Sequence, residues 1–149
     1  MKKERLSKLQ MAILASCKYV LDYLYPKNKY FYDSKYIRNN WIKGRNVSLE
    51  VSRFLRKYEN SRSSNSQNGI EQWGKFRVSF SRSLRNLFVK GYIKAIDSNM
   101  ELPRYSKGFF LTDKAYTEIK NNDVIQKITD SMINWQKEKD KKISNMFRI

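Results

Sequence analysis

One short stretch, SFSRSLRNLFVKGYI at residues 79–93, separates its apolar side chains from its polar and basic ones. At about 100° per residue, a helix gathers the apolar side chains of this stretch on one side: Phe80, Leu84, Leu87 and Phe88. Ser79, Arg82 and Asn86 then point nearly opposite. Arginine bridges two acceptors on guanine, asparagine does the same on adenine, and a small serine lets a helix approach closely. This side of the helix therefore has the groups needed to read base edges in a major groove.

The surroundings of this helix are basic. Residues 73–96 include six Lys or Arg and no Asp or Glu, whereas exposed helices commonly mix both signs of charge. The DNA contacts predicted for this segment are Lys75, Arg77, Ser79, Arg82, Arg85, Asn86 and Lys90. Of these, the two lysines and Arg77 are expected to contact mainly the phosphate backbone. The alternative is a solvated charged face without a partner.

The whole chain has a large excess of positive charge. Its 149 residues include 31 Lys and Arg against 14 Asp and Glu, a formal net charge of +17. Such an excess repels itself in a compact protein, so an anionic partner is expected to offset it. DNA, RNA and an acidic membrane surface are the candidates, and a highly soluble basic protein without such a partner is the alternative. The length and the 14% of aromatic residues predict one folded domain over residues 1–149.

The residue types that most catalytic and metal sites need are scarce. The chain has no histidine and one cysteine, Cys17, so it lacks the usual general base, any intramolecular disulfide and a zinc site of normal spacing. EIK at residues 118–120 matches half of a metal-dependent nuclease motif, with Asp97 or Glu101 upstream. It falls on a predicted helix rather than on a core strand. We therefore expect no catalysis, no metal and no cofactor.

The single cysteine bears on where the protein resides. LASC at residues 14–17 resembles a bacterial lipoprotein cleavage box after a basic start. Gln10 interrupts the apolar stretch before it, that stretch is short for a signal, and the helical period continues to Val20 and Leu24. A buried, inert thiol is the expectation. Because no apolar run reaches membrane-spanning length, we expect a cytoplasmic protein without a membrane partner.

Two short helices are predicted in the first half of the chain, after a tyrosine-rich connector. Asp33 or Ser34 would cap the first, which would end at Gly44. Its apolar residues are Ile37 and Trp41. Asn46 would cap the second helix. The inner face of this second helix would hold Val47, Val51, Phe54, Leu55 and Tyr58.

A polar stretch separates these helices from the basic one. Residues 60–68, NSRSSNSQN, lack apolar side chains and predict an exposed loop. Asn68 and Glu71, three residues apart, resemble a capping pair, but an unbroken helix from there would place Arg77 on the buried side, between Trp73 and Phe80. With Gly74 as the break, a new helix is expected to start near Ser79.

Two short strands are predicted after Gly91. They are YIKAI at residues 92–96 and GFFLT at residues 108–112. The polar loop between them suits the tip of a hairpin. Thr112 would cap a short helix that contains Ala115, Tyr116 and Ile119. The predicted fold class is therefore mainly α with a small β-hairpin, that is α+β.

The order of a basic helix ending in glycine, two strands joined by a basic loop, and a further helix is that of a winged helix-turn-helix. SRSLRNLFVKGYI followed by KGFFLTDKA resembles the recognition-helix and wing segments of prokaryotic winged-helix regulators, the broad MarR/PadR-like group. The matching positions are Ser81, Arg82, Leu84, Leu87, Gly91, Ile93, Leu111, Thr112 and Lys114. The chain departs from this group in its long polar loop at residues 60–68 and in Ala115, where glycine is usual.

This resemblance implies a winged helix-turn-helix with additional N- and C-terminal helices, in which residues 79–112 form the recognition helix and wing. It implies binding of double-stranded DNA, usually in transcriptional control and usually as a homodimer. The wing would contact phosphates or a minor groove through Arg104, Tyr105 and Lys107. The alternatives are an RNA-binding or ribonucleoprotein component and a protein-interaction adaptor, because a fold does not fix a function.

The terminal helices are the candidate dimerisation elements. Residues 1–25 predict an amphipathic helix that stops at Pro26, and residues 122–149 predict a final helix from about Asp123. Their apolar stripes are Leu6, Leu9, Ile13, Cys17, Val20 and Leu24 in the first helix, and Ile125, Ile128, Met132 and Trp135 in the last. These stripes would pack across a two-fold axis, or, as the alternative, on each other within one chain.

Tyrosines and lysines alternate in the first quarter of the chain. The tyrosines are Tyr19, Tyr23, Tyr25, Tyr30, Tyr32 and Tyr36. They would stack on the bases of a single strand. The alternative is that they cover the edge of a core and leave their hydroxyls in water.

Overall fold

Helices make up most of the chain, together with one small two-stranded antiparallel sheet, which confirms the α+β class. The computed structural model describes residues 5–55, 66–96 and 108–147, and for residues 66–73 it describes the backbone alone. The described elements are α1 (Lys8–Tyr19), a π-helical turn (Val20–Leu24), α2 (Tyr25–Lys27), α3 (Ser34–Asn39), α4 (Gly44–Leu55), α5 (Ser66–Val89), β1 (Ile93–Ala95), β2 (Phe109–Leu111), α6 (Asp113–Asn121) and α7 (Asp123–Met146).

Helix α1 lies at the centre of the core. A capping box begins it: the Ser7 hydroxyl accepts the Gln10 N–H at 3.1 Å, and the Gln10 side-chain oxygen accepts the Ser7 N–H at 2.9 Å. Residues 12–17 are fully buried, because α1 packs against α4, α5, α6 and α7. A helix that is apolar on every side belongs in a core. The prediction of a one-sided amphipathic helix is therefore wrong for this stretch.

Cys17 lies inside this buried helix. Its thiol is fully covered, which confirms the expected buried cysteine. Burial raises the pKa of the Cys17 thiol, because a thiolate would lose its hydration there. LASC at residues 14–17 thus forms part of the core, with each of its four side chains fully buried.

Pro26 does not end the first helical segment as predicted. The chain widens into a π-helical turn, in which the Tyr25 N–H bonds to the Val20 carbonyl five residues back. Helical structure then continues to Lys27. Pro26 is the second residue of α2, directly after this turn, and the helical segment ends one residue later.

Helix α3 begins as predicted and ends earlier than predicted. The Asp33 carboxylate accepts the Lys35 N–H at 2.9 Å and caps the helix. Asn40 adopts a left-handed backbone with φ of 55°, which stops α3 at Asn39. Asparagine tolerates this conformation better than most residues. The predicted end at Gly44 is wrong, since Gly44 starts α4.

Helix α4 begins two residues before its predicted cap, Asn46. The predicted inner face holds in part, since Val47 and Val51 are fully buried while Phe54 and Leu55 are half-buried. Tyr58, also predicted to face inward, lies outside the described residues.

The sheet joins three parts of the chain. β1 and β2 pair in antiparallel register, with Ile93 opposite Leu111, which confirms the predicted strand pair. Ile42 adds a single bridge on the other side of Phe109, with backbone hydrogen bonds of 2.8 Å in both directions. The predicted hairpin tip, residues 97–107, lies outside the described residues.

Helix α5 is longer than predicted. It runs unbroken from Ser66 to Val89, so the predicted break at Gly74 and the start near Ser79 are wrong, as is the predicted loop at residues 66–68. The remainder of that loop, residues 60–65, lies outside the described residues. The expected conflict does not arise, because Phe76 takes the inward position and Arg77 is exposed.

Helix α7 packs on α1 within the same chain. Asn122 caps it by accepting two backbone N–H groups, and Ile125, Ile128 and Met132 are buried. The Ser16 hydroxyl lies 3.6 Å from the sulfur of Met132. The apolar stripes predicted to pair across a two-fold axis are thus used inside one chain, so a dimer would need another surface.

Candidate nucleic-acid interface

One side of α5 is exposed from Gly74 to Val89. We call this surface the outer face of α5. Its side chains are Lys75, Arg77, Val78, Ser79, Ser81, Arg82, Arg85, Asn86 and Val89. At a rise of 1.5 Å per residue, the span from Lys75 to Val89 is about 21 Å, and a helix of about 10–12 Å diameter fits a major groove about 12 Å wide. The outer face therefore has dimensions suited to duplex DNA.

Four buried side chains hold α5 in place from the opposite side: Phe76, Phe80, Leu84 and Leu87, each 3% exposed or less. The rings of Phe76 and Phe80 lie 6.0 Å apart. The inner face contacts α1, so the orientation of the outer face is fixed by the core. A rigid helix holds a binding surface more accurately than a loop does.

The outer face of α5 is positively charged, and residues 73–96 contain no Asp or Glu. The ion pairs formed between described residues lie on other elements: Lys18 with Asp22, Lys27 with Asp140, and Arg53 with Glu50. Within the described ranges, no Asp or Glu pairs with Arg82 or Arg85. Both guanidinium groups are exposed, so their donors are directed at solvent and open to acceptors on a ligand.

The end of α5 forms a Schellman motif around Gly91. Gly91 has φ of 87°, a left-handed conformation that suits glycine. Its N–H bonds to the Phe88 carbonyl at 3.1 Å, and the Tyr92 N–H bonds to the Leu87 carbonyl at 2.9 Å. These bonds satisfy the last carbonyls of the helix and direct the chain into β1.

Thr112 and Lys114 attach the beginning of helix α6 to the turn at the end of α5. The Thr112 hydroxyl donates to the Gly91 carbonyl at 2.6 Å and accepts the Ala115 N–H at 3.4 Å, so it caps α6 and ties it to the turn after α5. The Lys114 ammonium donates to the Lys90 carbonyl at 2.6 Å and lies 4.5 Å from the centre of the Tyr92 ring. We call Gly91, Thr112 and Lys114 the α5 latch.

The latch gives a stability prediction. We expect Thr112→Val to lower the free energy of unfolding by about 1–2 kcal/mol, because a helix cap and the hydrogen bond to Gly91 are lost while the shape is kept. Urea unfolding followed by circular dichroism measures this change. Thr117→Val, at an exposed position of the same helix, is the control. Equal losses in the two variants would show that the hydroxyl contacts contribute nothing.

The sequence-predicted site residues on the helix lie on one surface. Lys75, Arg77, Ser79, Arg82, Arg85 and Asn86 are exposed on the outer face, and Lys90 is half-buried at its end. Arg104, Tyr105 and Lys107 lie outside the described residues. Sequence reasoning passed over Val78 and Val89, which are 51% and 72% exposed among the basic residues. Exposed apolar groups of this size suit the methyl group of thymine.

The tyrosines divide between the two roles considered for them. Tyr19 and Tyr25 are buried in the core, and Tyr23, Tyr32 and Tyr36 are half-buried at its edge. Tyr30, by contrast, is 90% exposed. The core-edge role therefore accounts for three of the six tyrosines, two belong to the core itself, and Tyr30 fits neither position.

The described residues also bear on metal binding and membrane insertion. Across residues 5–55, 66–96 and 108–147, no three His, Cys, Asp or Glu side chains lie close enough together to hold a metal ion. No helix in these ranges combines the length and the apolar character needed to cross a membrane. No family model, curated protein or solved structure matches this chain.

Proposed function

We propose that this protein binds double-stranded DNA by placing the outer face of α5 in the major groove. The observation that carries the proposal is this face itself: arginines, an asparagine and serines with no carboxylate, held outward by a buried opposite side. Groups of this kind recognise base edges, and the net charge of +17 favours a polyanion. The proposal includes no catalytic step.

The proposed architecture is a winged helix-turn-helix of the broad MarR/PadR-like kind. The order α4, α5, β1, β2 and α6 supports it, as does the Ile42 bridge, which anchors the segment before α4 to the same small sheet. Arg104, Tyr105 and Lys107 would then contact the DNA backbone from the wing. Regulation of transcription in the cytoplasm is the corresponding biological role.

The proposal also includes a homodimer. Because Ile13, Val20 and Ile125 are buried within one chain, the dimer contact would use apolar side chains that remain exposed. Ile143, Met146 and Phe147 are such residues, and their spacing puts them on one side of the end of α7. Two copies of α5 would then read half-sites about one helical turn of DNA apart.

The test begins with selection of bound duplexes from a random DNA library and continues with fluorescence anisotropy on the selected site. We expect Arg82→Ala to weaken binding to that site by about fivefold to a hundredfold, because a bidentate contact to a base contributes about 1–3 kcal/mol. Arg82→Lys should lose nearly as much, since lysine keeps the charge but not the fork of donors. Lys141→Ala, an exposed charge loss on α7, is the control.

A salt series separates base reading from phosphate contact. Affinity should fall by about 0.9 log units per phosphate contact for each tenfold rise in salt. Lys75→Ala should reduce that slope by about one contact and weaken all duplexes alike. An inverted repeat in the selected sequences would be the signature of a dimer. Preference for a hairpin RNA over the selected duplex, or a duplex affinity indifferent to Arg82, would overturn the proposal.

A further inference from the structure

Two aromatic side chains extend into solvent from the connector between α2 and α3. Tyr30 is 90% exposed and Phe31 is 87% exposed. Tyr25, a few residues earlier, is buried, and Tyr32 is half-buried. Adjacent rings left in water form an apolar patch, and such patches mark interaction sites when polar groups surround them.

A groove of about 190 Å³ lies beside these rings. Phe31, Tyr32 and Tyr36 give it aromatic walls. Its polar lining is Asp33, Lys43 directly before α4, and Asn46 in the first turn of α4. The ring of Tyr32 is supported from the core side by Tyr25, at 5.0 Å between centroids. The groove thus combines flat apolar walls with an ammonium group, a side-chain amide and one carboxylate.

The segment of the chain that forms this groove is rich in cations. Residues 28–45 contain five Lys or Arg and one acidic residue, Asp33, whose carboxylate is already engaged as the cap of α3. Three ammonium groups lie within 5.1–5.5 Å of an aromatic ring centre: Lys29 over Tyr30, Lys35 over Trp41, and Lys43 over Tyr36. The local charge therefore favours an anionic partner.

Two tyrosines of the groove keep their protons. Burial raises the pKa of the Tyr25 hydroxyl. Burial, together with the Glu50 carboxylate, also raises the pKa of Tyr32, although Arg53 opposes this in part. Neutral phenols add no negative charge against a polyanion, and their ring faces stay suited to stacking.

We propose that this groove and the two exposed rings bind the bases of single-stranded nucleic acid. Phe31 and Tyr30 stack on bases, Lys35 and Lys43 approach the phosphates, and the Asn46 amide reaches a base edge. Stacking platforms that alternate with cations bind single strands in this way. An acidic membrane also attracts basic aromatic segments, but the aromatic walls and the amide suit a planar base better than a lipid chain.

This second site goes beyond duplex binding by α5, because it uses other residues and another form of nucleic acid. Anisotropy of a labelled oligothymidine strand tests it. We expect Phe31→Ala to weaken binding to the strand by about tenfold or more, the loss measured when one stacked base loses its aromatic partner. Val124→Ala, which shortens an apolar side chain that is 47% exposed at the start of α7, is the control and should change nothing.

To distinguish the two sites, each variant is measured with both the duplex and the single strand. Phe31→Ala should leave blunt duplex binding unchanged, and Arg82→Ala should leave strand binding unchanged. Loss of duplex binding alone therefore concerns α5, and loss of strand binding alone concerns the groove. Equal strand affinity for Phe31→Ala and Val124→Ala would overturn the single-strand site.

Two further readouts identify what the groove contacts. Ultraviolet cross-linking of a strand with iododeoxyuridine should label the tryptic peptide of residues 30–35, YFYDSK, which carries both exposed rings. Cross-links confined to other peptides would contradict the proposal. Vesicles of phosphatidylcholine with and without phosphatidylserine form the last arm. Binding to the acidic vesicles that requires Phe31, without strand binding, would assign the groove to a membrane surface instead.

Discussion

Phe80→Ala is expected to lower the free energy of unfolding by about 3–5 kcal/mol, the usual cost of removing a buried phenylalanine ring. Phe80 is fully buried at the centre of the inner side of α5, 6.0 Å from the ring of Phe76. Its loss leaves a cavity between α5 and the core. Because domains of this kind are stable by only about 5–15 kcal/mol, the variant should also lose much of its duplex binding on warming, as α5 detaches.

Urea unfolding measures this change, and Val78→Ala on the outer face of α5 is its control. Val78 is 51% exposed, so its truncation should change stability by less than about 0.5 kcal/mol. If Phe80→Ala does not fold, Phe80→Leu should still fold, with a loss of less than about 1.5 kcal/mol. A cost for Phe80→Ala no larger than that for Val78→Ala would mean that α5 is not held by this face.

Gly108→Ala is expected to destabilise the fold by about 2–5 kcal/mol, from backbone strain and overlap together. Gly108 has φ of 90°, and a Cβ there would lie 2.6 Å from the Ile42 carbonyl oxygen and 2.9 Å from the Ile96 side chain. The backbone of Ile42 is fixed by its two hydrogen bonds to Phe109. It has no room to move without breaking the bridge.

The same substitution at Gly74 should act in the opposite direction. Gly74 lies inside α5, and a Cβ there meets no atom within 4 Å. Alanine is the better helix former by about 0.5–1 kcal/mol, so Gly74→Ala should stabilise the protein by about that amount. Thermal unfolding of the two variants side by side checks both signs. Destabilisation at Gly74 would mean that α5 bends there.

The parts of the fold that follow from local chemistry were predictable. Asp33, Thr112 and the start of α7 were found because caps satisfy backbone N–H groups within a few residues. The two strands followed from apolar β-branched and aromatic residues bounded by turns. The end of α3 was not predictable in this way, because it depends on a contact with a distant part of the chain. The chain leaves α3 before Ile42, which forms a bridge with Phe109. A single apolar residue shows no alternating pattern from which such a bridge could be predicted.

The complete burial of the middle of α1 was likewise not predictable from the periodicity of its apolar residues. A stripe at steps of three and four marks one buried side, but it does not reveal that other helices cover the remaining sides. The predicted break at Gly74 was wrong for a related reason. The inward position was assigned by spacing from Trp73, whereas the buried series runs through Phe76, Phe80, Leu84 and Leu87.

Most of the residues that resemble winged-helix regulators have a structural role. Among the residues that resemble winged-helix regulators, Gly91, Thr112 and Lys114 form the α5 latch, and Leu84, Leu87, Ile93 and Leu111 are buried. Ser81 and Arg82 alone of the matched positions are exposed on the outer face of α5. The resemblance thus rests mainly on residues that orient the helix, and the exposed residues between them are those proposed to contact a ligand.

The central position of α1 has a consequence for how the protein is made. Its Ser16 contacts Met132, 116 residues further along the chain. At about 5–20 residues per second, a ribosome needs roughly 6–20 seconds to synthesise that interval. During that time the apolar sequence MAILASC has no α7 to cover it, and contacts so distant in sequence form slowly. Helix α1 therefore leaves the ribosome well before α7 is available to enclose it.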